Sequence, residues 1–120
     1  MKNPVVHFEI HGRDSEKTQA FYHALFEWQI DVIPEMNYGL VKAPEDGPGI
    51  GGGVVGGVPD TPAFVTFYVA VPDVEAALAK VEELGGKRLF GPMDIPKGPT
   101  IGQFTDPDGN MVGVVQEEEG

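Results

Sequence analysis

The two halves of the chain repeat each other, and this repeat constrains the fold more than any other feature of the sequence. At a constant offset of 59 residues, several residues recur unchanged, and Ile10 recurs conservatively as Val69. The repeated positions coincide with matched boundaries of expected strands and helices, which indicates an internal duplication. Identical pairs include Phe8 with Phe67, Asp14 with Asp73, Glu16 with Glu75, Ala20 with Ala79, and Leu25 with Leu84.

The first copy, about residues 3–58, reads as one strand, one helix and three further strands. Asp14 or Ser15 can cap the helix, which runs to about Phe26 with apolar residues at helical spacing. Those apolar residues are Ala20, Phe21, Ala24 and Leu25. The strands are predicted at about 5–11, 28–33, 38–41 and 50–57. The last of these is rich in glycine and lacks the Lys-Ser/Thr ending of a phosphate loop, so we expect a strand that other groups can approach closely.

The second copy, about residues 62–117, repeats that order. Asp73 is expected to cap a helix over about 74–84, and Gly85-Gly86 to end it. The expected buried stripe of this helix is Val74, Leu78, Val81 and Leu84. The strands are predicted at about 64–71, 87–90, 100–105 and 110–116, with a Pro-Asp-Gly hairpin turn before the last.

Neither copy is large enough to bury its own sheet, so the sequence predicts a single domain over residues 1–120. Its class is α+β: two tandem βαβββ modules that form one curved mixed sheet, with the helices outside and a trough inside.

Alternation along the first strand places Val6, Phe8 and Ile10 on one face and three ionisable residues, His7, Glu9 and His11, on the other. The polar face is either exposed to water or the wall of a pocket, and the pattern alone leaves both open. If it lines the trough, Thr66, Tyr68 and Ala70 of the second copy stand opposite it.

The composition excludes some classes of partner. The chain has a formal net charge of −11 and no basic patch, which argues against nucleic acid. No apolar run is long enough for a membrane span, and no signal peptide is predicted. The absence of cysteine excludes disulfides and fits a cytoplasmic protein.

The sequence resembles the vicinal oxygen chelate superfamily, which includes glyoxalase I, extradiol dioxygenases, and fosfomycin and bleomycin resistance proteins. The likeness covers essentially the whole chain and implies the glyoxalase/bleomycin resistance/dioxygenase-like fold. It does not specify a reaction, because the fold hosts many. The residues that carry it are His7-Phe8-Glu9-Ile10, Asp14, Phe21-Tyr22, Val69-Ala70-Val71-Pro72-Asp73-Val74, Glu82-Glu83-Leu84-Gly85 and Asp106-Pro107-Asp108-Gly109-Asn110.

The resemblance implies a divalent metal whose ligands come from the first and last strand of each half. Those positions fall on His7, on Thr66, on Gly113 and within Gly51 to Gly53, so only His7 is a good ligand. We therefore expect no cofactor and no metal, with His7 as a ligand only if a metal is present. A replacement site that combines Glu9 with His7 or His11 remains an alternative.

The first functional hypothesis is a metal-independent protein that binds a small organic ligand in the trough. Glycine at the former ligand positions would make room for that ligand. The second is a lyase or isomerase that uses Glu9 or His11 as general base, with or without a weakly bound metal. The third is a structural or regulatory module. We expect a homodimer, since open sheet edges favour pairing. The expected ligand-binding residues are His7, Glu9, His11, Thr66, Tyr68, Gln103 and Phe104.

Overall fold

The strand-helix-strand-strand-strand order occurs twice in the chain. The computed structural model describes residues 2–57 and 62–117, so the predicted end of the first copy at residue 58 lies outside the described residues. The described residues form eight strands and two helices, which confirms the α+β class and the two βαβββ modules. In chain order they are β1 (Val5–Gly12), α1 (Ser15–Phe26), β2 (Ile30–Ile33), β3 (Tyr38–Val41), β4 (Gly51–Gly56), β5 (Phe64–Val71), α2 (Val74–Glu83), β6 (Lys87–Asp94), β7 (Thr100–Thr105) and β8 (Met111–Gln116).

The contacts divide the chain into two compact units. The first unit is His7–Thr66, and the second consists of residues 2–6 and 67–117. Each unit has a four-stranded mixed sheet in which the first and last strands of the unit pair in parallel and the other neighbours pair antiparallel. The strand order is β2-β3-β4-β1 in the first unit and β5-β8-β7-β6 in the second.

Helix α1 of the first unit packs through polar groups rather than through its apolar residues. Its buried residues are Ser15 and Gln19, and the Gln19 Nε2 donates to the backbone oxygen of Val54 at 2.9 Å. The expected apolar stripe is wrong for this helix, since Phe21 is 58% exposed and Leu25 56% exposed. Gln19 occupies the buried position because the backbone oxygen of Val54 accepts its hydrogen bond there. The helix begins as predicted, with Asp14 accepting from the backbone N–H of Lys17 at 3.1 Å.

Aromatic residues cover the helix-side face of the first unit's sheet. The Phe8 ring lies 5.3 Å from that of Trp28, and Tyr22 stacks on Trp28 at 5.7 Å. Phe8 also lies over Gly52, where any Cβ would overlap its ring. Phe8 and Ile10 are half-buried, as a core face requires, but Val6 is exposed.

Helix α2 packs on the second unit through a compact aliphatic core. Leu78 and Val74 are buried with Val71 and Val114, and Phe104 packs against them. Gly102 permits close contact, because a Cβ there would lie 2.8 Å from a Leu78 methyl group. The stripe is confirmed at Val74 and Leu78 but is wrong at Leu84, which is 69% exposed. Leu84 follows the last helical residue, so it has left the helical face that carries Leu78.

The hairpin turn between β7 and β8 forms as the sequence predicts. The backbone N–H of Asp106 donates to Asn110 O at 2.9 Å, and Gly109 takes a positive φ of 91°. Hydrogen bonds from Asn110 hold the pKa of the Asp106 carboxyl below its usual value. Neither of the two described helices is long and apolar enough to cross a membrane.

Candidate functional site

Glu9 is a carboxylate buried at the centre of a polar cluster on β1. Its side chain accepts from His11 Nε2 at 2.5 Å and from the Tyr38 hydroxyl at 3.0 Å. Glu9 and His11 lie two residues apart, so strand alternation places them on the same face. Both carboxylate oxygens therefore have a donor, which is what a buried carboxylate requires. The reading of this face as fully solvent-exposed is wrong at Glu9, which is 7% exposed.

Tyr38 joins His7 to Glu9. The tyrosine has one hydroxyl hydrogen, and it is donated to Glu9 Oε2. His7 Nε2 lies 2.7 Å from the same hydroxyl oxygen, so the imidazole must donate there and carries its proton on Nε2. The hydrogen bonds of the cluster can thus be assigned a donor each. His7 donates to Tyr38, Tyr38 donates to Glu9, and His11 donates to Glu9.

Burial of His7 lowers the pKa of its imidazole below 6.5, and the nearby Glu9 carboxylate opposes the shift without reversing it. Below pH 6.5 the unfolded chain then binds more protons at His7 than the folded chain does. His7 therefore contributes fully to the free energy of unfolding above pH 6.5. This contribution is lost as the pH falls towards the pKa of His7 in the folded chain.

We therefore expect the His7 ring to titrate below pH 6.5 in a proton–carbon NMR experiment. We also expect the difference in unfolding free energy between the wild type and His7→Gln to narrow between about pH 7 and about pH 5, because only the wild type carries the titrating ring. A titration above 6.5, or a difference that widens on acidification, would contradict this prediction.

The space next to Gly53 of the glycine-rich strand β4 is occupied by the side chain of Tyr38. A Cβ at Gly53 would overlap the hydroxyl and ring of Tyr38, so the tyrosine lies directly over this glycine. Gly53 pairs with Glu9 across the parallel β1–β4 ladder, which places the ring over the strand next to the carboxylate. The expectation that glycine here leaves space for a ligand is wrong, because Tyr38 occupies that space.

A second pair of this kind lies in the second unit. A Cβ at Gly113 would overlap the ring of Tyr68, its partner across β5 and β8. The Tyr68 hydroxyl accepts from Gln103 Nε2 at 2.8 Å. Tyr68 is 5% exposed, so its ring is part of the packed structure of this unit.

The predicted site residues thus fall into separate groups. His7, Glu9 and His11 meet in the first unit, and Tyr68 meets Gln103 in the second. Thr66 is buried on β5. Phe104 packs against the core beneath α2 and lies on the opposite face of β7 from Gln103. The expectation that Phe104 shares a ligand-facing surface with Gln103 does not fit this placement.

The residues of this chain do not fit the metal centre that the family resemblance implies. No group of three or more His, Cys, Asp or Glu side chains that could hold a metal ion occurs in residues 2–57 and 62–117. The Nε2 atoms of His7 and His11 are both engaged in the cluster, and Gly53 and Gly113 contribute no donor atom. The hydroxyl of Tyr38 and the ring of Tyr68 lie over these glycines instead.

His11 also lines a groove of about 500 Å³ in the first unit. Its ring stacks on Phe64 with the centroids 4.1 Å apart, while its Nε2 holds Glu9. The groove continues along the first turns of α1, where Thr18 and Tyr22 line it. His11 is therefore the residue through which the polar cluster reaches open space.

Tyr38 was not among the residues that the sequence predicted for the site. Alternation along β3 puts Tyr38 and Leu40 on one face, but the partner of that face depends on how β3 pairs with β4. The available signal was the glycine run itself, since a glycine inside a strand often marks the close approach of another group. We interpreted that group as a ligand, whereas it is a tyrosine of the same unit.

Comparison with known proteins gives a family and a fold. The family model described as the Glyoxalase/Bleomycin resistance protein/Dioxygenase superfamily matches residues 5–114. Two curated relatives, from Mycobacterium bovis and Mycobacterium tuberculosis, share the name CFP32 and are described as candidate glyoxylases. Each is 28% identical over 113 residues, which cover 90% of this chain and 43% of the relative. The chain thus spans less than half the length of these relatives.

Solved structures show the same fold at low sequence identity. Methylmalonyl-CoA epimerase of Streptomyces coelicolor, bound to 2-nitronate-propionyl-CoA, is 18% identical with a TM-score of 0.67, and the match covers 99% of this chain and 97% of that chain. A hypothetical protein of Bacillus halodurans is 13% identical with a TM-score of 0.69, over 100% and 98% of the two chains. Methylmalonyl-CoA epimerase of Mycobacterium tuberculosis is 12% identical with a TM-score of 0.64, over 95% and 87%.

Proposed function

Because the chain belongs to the glyoxalase/bleomycin resistance protein/dioxygenase superfamily, we propose that its first unit binds a small organic ligand without a metal. The site is the groove lined by His11, backed by the cluster of Glu9, Tyr38 and His7. The observation that carries the proposal is the double role of His11, which holds the buried carboxylate with one nitrogen and lines open space with its ring.

The cluster supports recognition because it fixes His11 before any ligand arrives. Glu9 holds the Nε2 side of the ring, and Phe64 stacks on its face. A ring held from two directions loses little freedom on binding, and such preorganisation raises affinity. A groove with ring walls and a few placed polar groups is typical of small-molecule sites. Solved proteins of this fold hold small organic ligands, namely methylmalonyl-CoA and 2-nitronate-propionyl-CoA.

Thr66, Tyr68 and Gln103 do not line this groove, so they stay predictions for a separate ligand surface and are not part of the proposed site. The homodimer and the cytoplasmic location also remain predictions, since the contacts within one chain do not bear on either.

The test is a thermal-shift screen of a metabolite panel that includes methylmalonyl-CoA, on metal-stripped protein. We expect at least one compound to raise the melting temperature, and addition of divalent metal to change nothing. His11→Gln should lower the affinity for that compound about tenfold, through loss of a hydrogen bond and a stacked ring. His23→Gln is the matched control, because His23 is an exposed histidine on α1.

Two results would overturn this proposal. One is stoichiometric metal in the purified protein that disappears in His7→Gln, measured by elemental mass spectrometry. The other is equal loss of affinity in His11→Gln and His23→Gln. If no compound shifts the wild type, the structural or regulatory alternative takes its place.

The second candidate function is proton abstraction next to a carbonyl group, as in a lyase or isomerase. The observation that favours it is the Glu9 carboxylate paired with an imidazole at 2.5 Å, in a fold that also serves epimerases. Glu9 would take a proton from carbon, the electron pair would move to the carbonyl oxygen, and the same proton or a solvent proton would return to carbon.

Deuterium exchange tests this second function. Methylmalonyl-CoA incubated with the wild type in heavy water would gain deuterium at the carbon between its two carbonyl groups, and Glu9→Gln would abolish the gain. Exchange that equals the enzyme-free rate would leave ligand binding as the function of the site.

A further inference from the structure

The groove beside His11 is cationic in a chain that is strongly acidic. The chain carries 8 Lys and Arg against 19 Asp and Glu, yet the groove is lined by the basic residues His11, Arg13 and Lys17. Among the described residues that line the groove, none is an aspartate or a glutamate. The local charge is thus opposite in sign to the net charge of −11.

The positive charges of the groove are available to a ligand. Neither Arg13 nor Lys17 forms an ion pair with a carboxylate of the described chain. Asp14, which stands between them in sequence, directs Oδ1 to the backbone N–H of Lys17, and its backbone oxygen accepts from Thr18 Oγ1 at 2.8 Å. Asp14 therefore caps α1, and Glu16, the other carboxylate next to these cations in sequence, is exposed in the first turn of α1.

Three aromatic rings, of Phe21, Tyr22 and Phe64, also line the groove. Phe21 and Tyr22 meet edge to face with their centroids 5.1 Å apart, and Phe64 stacks on His11. Phe21 is 58% exposed, so its ring in the groove is accessible to an apolar ligand. A planar apolar body would cover Phe21 and Phe64 and leave the cations for an acidic group.

We propose that this groove binds small carboxylates that carry an aromatic ring. The inference rests on the proposed function and names its ligand class. The carboxylate lies between Arg13 and Lys17, and the aromatic ring contacts Phe21 and Phe64. The net charge of the chain by itself disfavours anionic ligands, so the preference for a carboxylate comes from the local charge of the groove.

The test compares two ligands with the same aromatic ring and different charge, 2-naphthoate and 2-naphthol, by NMR titration of backbone amides. We expect 2-naphthoate to bind at least about fivefold more tightly at low salt, and the advantage to shrink with added salt, since exposed charges are screened. The shifted amides should cluster in residues 10–22 and 63–65. Equal affinity for the two compounds would overturn the carboxylate preference and leave ligand binding at the groove intact.

Matched charge variants test whether Arg13 and Lys17 cause the preference for 2-naphthoate. Arg13→Gln combined with Lys17→Gln should lower the affinity for 2-naphthoate about fivefold and leave that for 2-naphthol unchanged. Lys80→Gln combined with Lys87→Gln is the control, because it gives the same net charge of −13 (−11 minus 2) with exposed lysines of the second unit. Equal losses in the two double variants would mean that net charge, not the groove, sets the preference, and would overturn the proposal.

A second copy of the chain is the other occupant that an exposed phenylalanine suggests. Sedimentation of the wild type and of Phe21→Asp distinguishes it. If Phe21→Asp converts a dimer into a monomer and 2-naphthoate shifts no groove amide in the wild type, the groove is an interface and the proposal is wrong.

Discussion

Replacing Leu78 by alanine should lower the free energy of unfolding by about 3 kcal/mol. Leu78 is completely buried and lies at the centre of the core beneath α2. Removing its side chain leaves a cavity. The neighbouring strand cannot fill it, because its backbone at Gly102 already lies against the Leu78 methyl group and carries no side chain there. The expected result is a lower midpoint in urea denaturation with an unchanged slope.

The matched control is Leu84→Ala, the same change at the end of the same helix. Leu84 is 69% exposed, so the cost should be about 0.5 kcal/mol or less. Comparable losses at the two positions would mean that Leu84 belongs to the core, as the sequence predicted, and that the packing of α2 is not as described.

Gly53→Ala has the second large effect that we expect, a loss of about 2 kcal/mol. The added methyl group would overlap the hydroxyl and ring of Tyr38, so the ring must move. A displaced ring breaks the hydrogen bond to Glu9 and the contact with His7 together. Denaturation measures the loss, and a changed His7 titration in NMR reports the broken contact.

A double-mutant cycle separates this steric effect from any general intolerance of β4. In a Tyr38→Ala background the ring is absent, and Gly53→Ala should then cost less than about 0.5 kcal/mol. If the glycine substitution costs the same in both backgrounds, the ring does not lie over Gly53 and the account of the cluster fails.

The fold could be predicted because its signals are local or repeated. The offset between the halves located both modules, and the capping aspartates Asp14 and Asp73 located the starts of both helices. Strand alternation brought His7, Glu9 and His11 to one face, and the structure joins them through the Glu9 carboxylate.

The failures have a common physical cause, which is that burial depends on partners far away in sequence. Helix α1 presents Gln19 inward because the carbonyl of Val54, 35 residues later, accepts its hydrogen bond. Tyr38 enters the cluster through the register of β3 on β4, which no local pattern fixes. Local periodicity therefore predicts which residues share a face but not what that face meets.

The tyrosines that lie over Gly53 and Gly113 also bear on how such a chain can evolve. The resemblance to the chelate family places metal-binding side chains at Gly113 and within Gly51 to Gly53, so such a metal centre would need substitutions at these glycines. With Tyr68 in place, a carboxylate at residue 113 has no room, and without that carboxylate the loss of Tyr68 leaves a void. Each single step is harmful on its own, and only the pair restores a packed structure. A metal centre at these positions would therefore require the glycine and the tyrosine to change together.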